Sequence, residues 1–312
     1  MDVDTVLTAE SYDAAVNAAG CVIEAIKDVM EGKGRNAFCV VRPAGHHAGP
    51  QGASEAMVEQ GSKTRSHGFC LLSNVAIGAA HAMANRLAAR VAIVDFDVHH
   101  GNGTEEVIRN LKPWRYKHVA DTPLGEVAFD TLAEGPWLTE RDSENVFFCS
   151  IHGFGEYSTG SPYTGLFYPG LGGATEEPNI LNIPLGPKFG TQDFRREKLL
   201  PRLHSFKPDL VLVSAGFDGH EADFMNYGLV SLTEDDFFWV TDKLCEVAEV
   251  TCGGKLVSIL EGGYNTNGGP LSPLARRFIC FSPPLLCLSS STLDLLSPPH
   301  ASPACPRTCE LC

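Results

Sequence analysis

The chain has 312 residues, with 38 Asp and Glu against 24 Lys and Arg and a formal net charge of −14. That length suits one large α/β domain or two small ones, and 44% hydrophobic with 20% charged residues is an ordinary globular mix. So acidic a chain argues against a nucleic-acid partner, whose phosphates would repel it, and suits a cationic substrate better.

The opening "MDVDTVLTAESYDAA" has neither the basic stretch nor the apolar core of a signal peptide. Gly, Pro or polar residues interrupt the longest apolar stretches, so no membrane span is expected. Eight of the eleven cysteines, Cys21 to Cys287, are scattered without metal-ligand spacing, several of them inside apolar runs. They read as reduced thiols of an intracellular protein.

A helical pattern over residues 12–31 comes first, followed by the apolar run "NAFCVV" at 36–41. A second helix is expected at 74–89 and a second run, "RVAIVDF", at 90–96. Residues 111–144 have no clear periodicity and are expected to form a long surface insertion. Then come "NVFFCSI" (145–151), "NILNIPL" (179–185), a helix at 193–206, "PDLVLVSAGF" (208–217), a helix at 233–248 capped by Thr233, and "GKLVSIL" (254–260). The strands are continuously apolar, as strands buried on both faces should be. Their alternation with helices predicts an α/β fold: an open, mostly parallel sheet with helices on both faces. Residues 278–312 are rich in Ser, Pro and Cys and read as a disordered tail. Its His300, Cys305, Cys309 and Cys312 lack regular zinc-knuckle spacing and a second half-site.

An open parallel sheet binds its ligands beyond the carboxyl ends of its strands. Four strand ends here deliver ionisable groups: "RPAGHHAG" carries His46 and His47, "DFDVHHGNGT" carries Asp95, Asp97, His99 and His100, and Asp218 and Tyr264 follow two further runs. Singly, Asp218 reads as a turn or cap, the His pair as surface loop and Tyr264 as rim packing. Together they read as one site. Asp97 and His99, two apart on extended chain, point to one side and form a zinc-type pair, while His100 points away and is read as structural. Asp218 is the natural third ligand, and three protein ligands leave coordination positions open for catalysis. A zinc there could bind both a water and a carbonyl oxygen. Hydrolysing an amide also needs a proton acceptor and donor, which the His pair could supply, with Asp95 or Asn102 as orienting partner. Tyr264 could donate its hydroxyl to a developing oxyanion.

"RPAGHHAG", "HGFCLLSNVAIGA", "VDFDVHHGNGT", "FCSIHGFG", "LVSAGFD" and "LEGGYN", in that order, resemble the zinc-dependent histone deacetylase family, in particular its class II branch, over roughly residues 1–275. The resemblance implies an arginase-like open α/β fold. It implies zinc on Asp97, His99 and Asp218, His47 as general base and acid, His46 as its electrostatic partner, and Tyr264 as the carbonyl-polarising group. It also implies a structural potassium at the Asp95, Asp97 and His99 backbone with Ser150 and Ile151, and a substrate tunnel walled by Gly68, Phe69 and Tyr168. Ala44 stands where the family usually has Pro, and Tyr168 where a tunnel Phe is usual. The implied activity is removal of acetyl groups from N6-acetyl-lysine in histones or other proteins, in nucleus or cytoplasm, with a corepressor complex as a further partner and no nucleic acid or membrane. An acetylpolyamine amidohydrolase is the enzymatic alternative. Met225 falls where polyamine-selective relatives carry Glu, although Glu221 nearby keeps that alternative open. A catalytically inert acyl-lysine binding module is the alternative of another class, against which stands the filling of every catalytic position. A catalytic domain over 1–277 and an artefactual tail over 278–312 are expected, with the domain incomplete at both ends.

Overall fold

The computed structural model describes residues 5–52, 67–112, 114–122, 125–133, 135–155, 167–195 and 198–265. The tail at 278–312 lies outside them. In chain order the elements are α1 (Ser11–Met30), β1 (Asn36–Cys39), α2 (Asn74–Ala84), β2 (Val91–Asp95), α3 (Asn102–Arg109), β3 (Trp114–Thr122), β4 (Gly125–Ala133), α4 (Asp142–Asn145) and β5 (Val146–Gly153). They continue with β6 (Thr175–Glu176), β7 (Ile180–Leu185), α5 (Thr191–Phe194), α6 (Leu199–Phe206), β8 (Leu210–Ala215), α7 (Glu234–Cys252) and β9 (Leu256–Leu260).

Seven strands form one sheet in the order β1-β9-β8-β2-β5-β7-β6. Every pairing is parallel except that of β6 with β7. The six apolar runs are the six parallel strands. Central β2 shows why they are continuous: all five of its residues are buried. Ala92 and Val94 pack on one face with Val211, Val213, Leu203 of α6, and Phe237, Val240 and Leu244 of α7. Val91 and Ile93 pack on the other with Leu210, Leu212, Val22 and Ile26 of α1, and Val75 and Ala79 of α2. Period-two alternation therefore feeds two cores, and both need apolar side chains. Each fully buried Val, Leu, Ile or Phe contributes about 1.5–3 kcal/mol.

Two expectations change. The helix expected over 193–206 is two helices, α5 and α6. Pro201 sits in the first turn of α6, where its missing N–H costs nothing; inside one continuous helix its ring would clash with the carbonyl four residues earlier. Arg195 instead anchors the end of α5 to α7, Nε donating to Asp236 Oδ1 at 3.0 Å. Helix α2 stops at Ala84 rather than 89, because Arg86 turns left-handed (φ 57°) and the Leu87 N–H folds back onto the Ala82 carbonyl at 2.8 Å. Within 111–144 the chain pairs with itself, β3 antiparallel to β4 from Trp114 opposite Ala133 to Thr122 opposite Gly125.

At α7, Thr233 is the cap expected, its N–H donating to Asp236 Oδ2 at 2.9 Å. The six described cysteines, Cys21, Cys39, Cys70, Cys149, Cys245 and Cys252, are free thiols. Among the described residues no helix is long and apolar enough to cross a membrane.

Candidate functional site

Strands β2 and β8 are neighbours, and their carboxyl ends bring Asp97, His99 and Asp218 together. One donor atom from each lies within 4.8 Å of the others, and all three residues are buried. His99 Nδ1 is 3.1 Å from Asp97 Oδ1 and 2.9 Å from Asp218 Oδ2. Backbone amides fix both carboxylates: Val98 N–H donates to Asp218 Oδ1 at 3.1 Å and Gly262 N–H to Asp97 Oδ2 at 2.8 Å. Glycines make the room, since a Cβ on Gly216 would collide with Asp97 and one on Gly262 with Asp218.

The electrostatics show what the cradle suits. Burial pushes the Asp218 carboxyl up to about 6, the negative charge of Asp97 adds to this, and His99 opposes it. Burial alone would lower the His99 imidazole, yet the Asp218 and Asp97 carboxylates raise it to about 10. Asp218 Oδ2, although close to His99, makes no hydrogen bond of good geometry. Two buried carboxylates thus converge on one imidazole with an acceptor oxygen to spare. Hard anionic oxygens and an imidazole nitrogen suit a divalent cation of the zinc type, so the residues fit the group that the sequence implies.

The histidine pair stands beside this cradle, with ring centroids 4.0 Å apart. His46 Nδ1–H donates to Asp95 Oδ2 at 3.0 Å, and His47 Nδ1–H donates to Asn102 Oδ1 at 2.7 Å. Each proposed orienting residue therefore serves a different histidine. The consequences are opposite. Burial would lower His46, but the Asp97 and Asp95 carboxylates outweigh it and hold the imidazole well above its ordinary value. Burial pushes His47 well below its ordinary value, and the charges of His46 and His99 add to the effect. His47 is therefore neutral, with Nδ1 protonated and Nε2 free to accept a proton.

The expected tunnel residues gather around His47. The Tyr168 ring stands perpendicular to it at 5.0 Å and lies 6.4 Å from His99. Gly68 takes φ +54°, and a Cβ there would strike the His47 ring, so glycine is required on both counts. Phe69 packs edge-on against Tyr264 at 5.8 Å, and Arg42 lies over the same ring at 5.6 Å. Burial, with the Asp218 charge, pushes the Tyr264 phenol far up, so it keeps its proton. Met225 sits in the one-turn helix Phe224–Asn226, whose Phe224 ring is 6.3 Å from Tyr264. Of the residues expected to hold a monovalent cation, Asp95 and Ser150 are register partners across β2 and β5, and Ile151 follows in β5. Ser150 Oγ is 2.9 Å from His152 Nδ1.

Sequence reasoning passed over Glu261 and Glu105. Glu261 is fully buried; its Oε2 accepts from the Gly45 and His46 amides at 2.7 and 3.1 Å, and its Oε1 from Ser214 at 2.9 Å. It ties the histidine loop to the ends of β8 and β9. The signal was present, an acid at the end of an apolar run, as for Asp95. Glu105 explains His100, whose Nε2 is 2.7 Å from Glu105 Oε2. Asn182 and Arg109 donate to the same carboxylate, each at 2.7 Å.

Burial alone would raise Glu105, but the His100 hydrogen bond and charge, with Asn182 and Arg109, hold it at about 2 against an ordinary 4.5. A depressed carboxyl contributes stability above its unfolded value and loses it as pH falls through the folded one. Glu105→Gln is therefore expected to cost about 3 kcal/mol at neutral pH. Its Tm deficit relative to wild type should shrink from pH 4.5 toward pH 2. A deficit that stays constant over that window would show that the carboxylate charge is not what stabilises this corner.

A family model described as "Histone deacetylase domain" matches residues 1–272. The chain is 37% identical over 273 residues to Type-2 histone deacetylase 2 of Dictyostelium discoideum, covering 84% of this chain and 13% of that protein. It is 32% identical to Type-2 histone deacetylase 1 of the same organism, covering 85% of this chain and 19% of the relative. The chain thus spans less than a quarter of these curated relatives. Among solved structures, the HDA15 HD domain superposes with a TM-score of 0.64 at 31% identity, covering 90% of this chain and 65% of that one.

Proposed function

Since the chain belongs to the histone deacetylase domain family, we propose that it removes acetyl groups from N6-acetyl-lysine by hydrolysis, with one zinc held by Asp97, His99 and Asp218. The observation that carries this is the pairing of a buried, three-residue metal cradle with a neighbouring histidine kept neutral and correctly oriented.

Asp97, His99 and Asp218 would hold the ion, which would supply Lewis acidity toward the acetyl carbonyl and the attacking water. The residues supply the rest. His47, neutral and with Nδ1 committed to Asn102, takes the water's proton at Nε2. The His46 charge held by Asp95 and Asp97 lies one ring away, so a protonated His47 is strained electrostatically and gives its proton readily to the leaving lysine amine. Tyr264, whose phenol stays protonated, donates to the carbonyl oxygen as negative charge develops there. Gly68, Phe69 and Tyr168 wall the approach and exclude water from the side chain being deacylated. A structural potassium at Asp95, Asp97, His99, Ser150 and Ile151 would brace the β2–β5 end beneath the site.

Residues 1–277 form the proposed catalytic unit. The proposed substrates are acetylated protein lysines, histone tails among them, in nucleus or cytoplasm, with a corepressor complex as a further partner; the names of the relatives support this reading. The deciding experiment is acetate release from an acetyl-lysine peptide by the zinc-loaded chain. Absence of turnover, with the peptide bound, would favour the inert binding module instead.

Met225 separates the proposed substrate from a polyamine. An apolar side chain here offers a cationic amine no counter-charge, so kcat/KM is expected to be higher for acetyl-lysine peptide than for N8-acetylspermidine. Met225→Glu should move that ratio toward the polyamine by about tenfold, the effect of roughly 1.4 kcal/mol of new charge pairing. Wild-type preference for the polyamine would transfer the chain to the amidohydrolase reading.

A further inference from the structure

Beyond Leu260 the chain leaves β9 and crosses Gly262 and Gly263, the latter at φ +130°, before Tyr264. Gly262 is held on both sides, its N–H donating to Asp97 Oδ2 at 2.8 Å and its carbonyl accepting from the Phe217 N–H at 2.9 Å, but Gly263 leaves the step to Tyr264 free to turn, and among the described residues no strand neighbour fixes Tyr264. Its ring contacts, Phe69 at 5.8 Å, Phe224 at 6.3 Å and Arg42 at 5.6 Å, are not directional enough to hold a hydroxyl in place. Among the described residues, one carboxylate accepts the backbone N–H groups of Tyr264 and its successor. Asp223, 5% exposed, accepts the Tyr264 N–H at 2.6 Å and the Asn265 N–H at 2.9 Å, both on Oδ2. Its Oδ1 takes the Met225 N–H at 2.9 Å. Asn265 also donates from its side chain to the Ala222 carbonyl.

Asp223 belongs to the loop that begins at Asp218. Within that loop, buried Asn226 donates to the Asp218 carbonyl at 3.1 Å and to the His220 carbonyl at 2.7 Å. A single fold of chain therefore holds a metal-cradle residue at one end and grips the Tyr264 backbone from the middle.

We propose that Asp223 is the positioning residue of Tyr264, setting the distance between the phenol and the metal cradle by clamping two consecutive backbone amides. This rests on the reading above, in which Tyr264 polarises the carbonyl. Charge-assisted bonds to two neighbouring N–H groups are rigid, and transition-state contacts are sensitive to shifts of about 1 Å. Asp223 lies outside the Asp97, His99 and Asp218 cradle, and its contribution passes through Tyr264.

The test is a double-mutant cycle on the zinc-loaded 312-residue chain with an acetyl-lysine peptide. Asp223→Ala is expected to lower kcat by about tenfold or more, with KM changed less than about twofold, because the lost contact is one made in the transition state. In a Tyr264→Phe background the same substitution should cost less than about twofold, there being no hydroxyl left to misplace. Zinc content should stay at the wild-type level. Hydrogen exchange at the Tyr264 and Asn265 amides should accelerate once their acceptor is gone, a readout independent of turnover. Should Asp223→Ala not fold, Asp223→Asn, which keeps one acceptor oxygen, carries the same cycle with a smaller first term. Equal costs in both backgrounds, with Tyr264→Phe itself impaired, would overturn the inference and leave the deacetylase reading standing. Wild-type turnover by Tyr264→Phe would overturn both the inference and the role given to Tyr264, whereas absence of turnover by the zinc-loaded wild type is what would overturn the deacetylase reading.

Discussion

Asp218→Ala is expected to lose most of its zinc and nearly all turnover. Losing a residue that merely supports a metal ligand costs about 10–100-fold in affinity, so losing a ligand should exceed about 100-fold. The geometry sharpens the expectation. Asp218 Oδ2 is the acceptor left without a good hydrogen bond, facing the imidazole that Asp97 also faces, so the cradle without it retains one carboxylate and one imidazole. Two ligands do not hold the ion against water. A second consequence separates metal loss from misfolding. Zinc binds the folded chain and should raise the wild-type Tm in proportion to the logarithm of its concentration, whereas the Tm of Asp218→Ala should be nearly insensitive to it. Removing Asp218 also removes the burial cost and, with it, the Asp97 repulsion that together lift its carboxyl to about 6, so the metal-free variant need not be less stable than the metal-free wild type. Full zinc content by elemental analysis, or an undiminished zinc-dependent rise in Tm, would rule out Asp218 as a ligand.

The parallel strands were legible because burial on two faces imposes a pattern that local sequence cannot hide: Val91, Ala92, Ile93 and Val94 admit no polar interruption. The chemistry was legible for the complementary reason. Acids and imidazoles at the ends of such strands are costly to desolvate, so Asp95, Asp97, His99 and Asp218 stand out wherever the sheet is recognised. What escaped was governed by long-range partners. Glu261 meets Gly45 and Ser214, Asp223 meets Tyr264, and Glu105 meets Asn182; none of these separations leaves a periodic trace in the chain. The same holds for the division of labour within the His pair. Asp95 and Asn102 were both visible as orienting groups, but only the fold assigns Asp95 to His46 and Asn102 to His47. The break between α5 and α6 was different, since Pro201 announced it locally. The β3–β4 pairing joins residues whose alternation is too weak to mark them as strands, and it is set by their own proximity in the chain rather than by the main sheet.

His47→Ala and Tyr264→Phe should each lower kcat by about 100-fold or more, the range expected for a general base and for a single oxyanion donor. Zinc should remain bound in both, because neither side chain belongs to the Asp97, His99 and Asp218 cradle. The two variants differ in their pH behaviour. Turnover needs His47 neutral, and burial together with the positive charges of His46 and His99 depresses its pKa well below 6.5. A bound dication acts in the same direction as the His99 charge. Because the base is active when deprotonated, the acid limb of kcat/KM falls as pH drops through that depressed value, so it should lie below pH 6.5 in the wild type and in Tyr264→Phe. His47→Ala should have no such limb, since its residual rate does not depend on an imidazole. His46→Asn takes away the neighbouring charge, so His47 should titrate higher and the acid limb should move up in pH. An acid limb that stays in place in His46→Asn, or near wild-type kcat in His47→Ala, would mean that the proton leaves the water by another route, and near wild-type kcat in Tyr264→Phe would mean that the carbonyl oxygen is polarised without its hydroxyl.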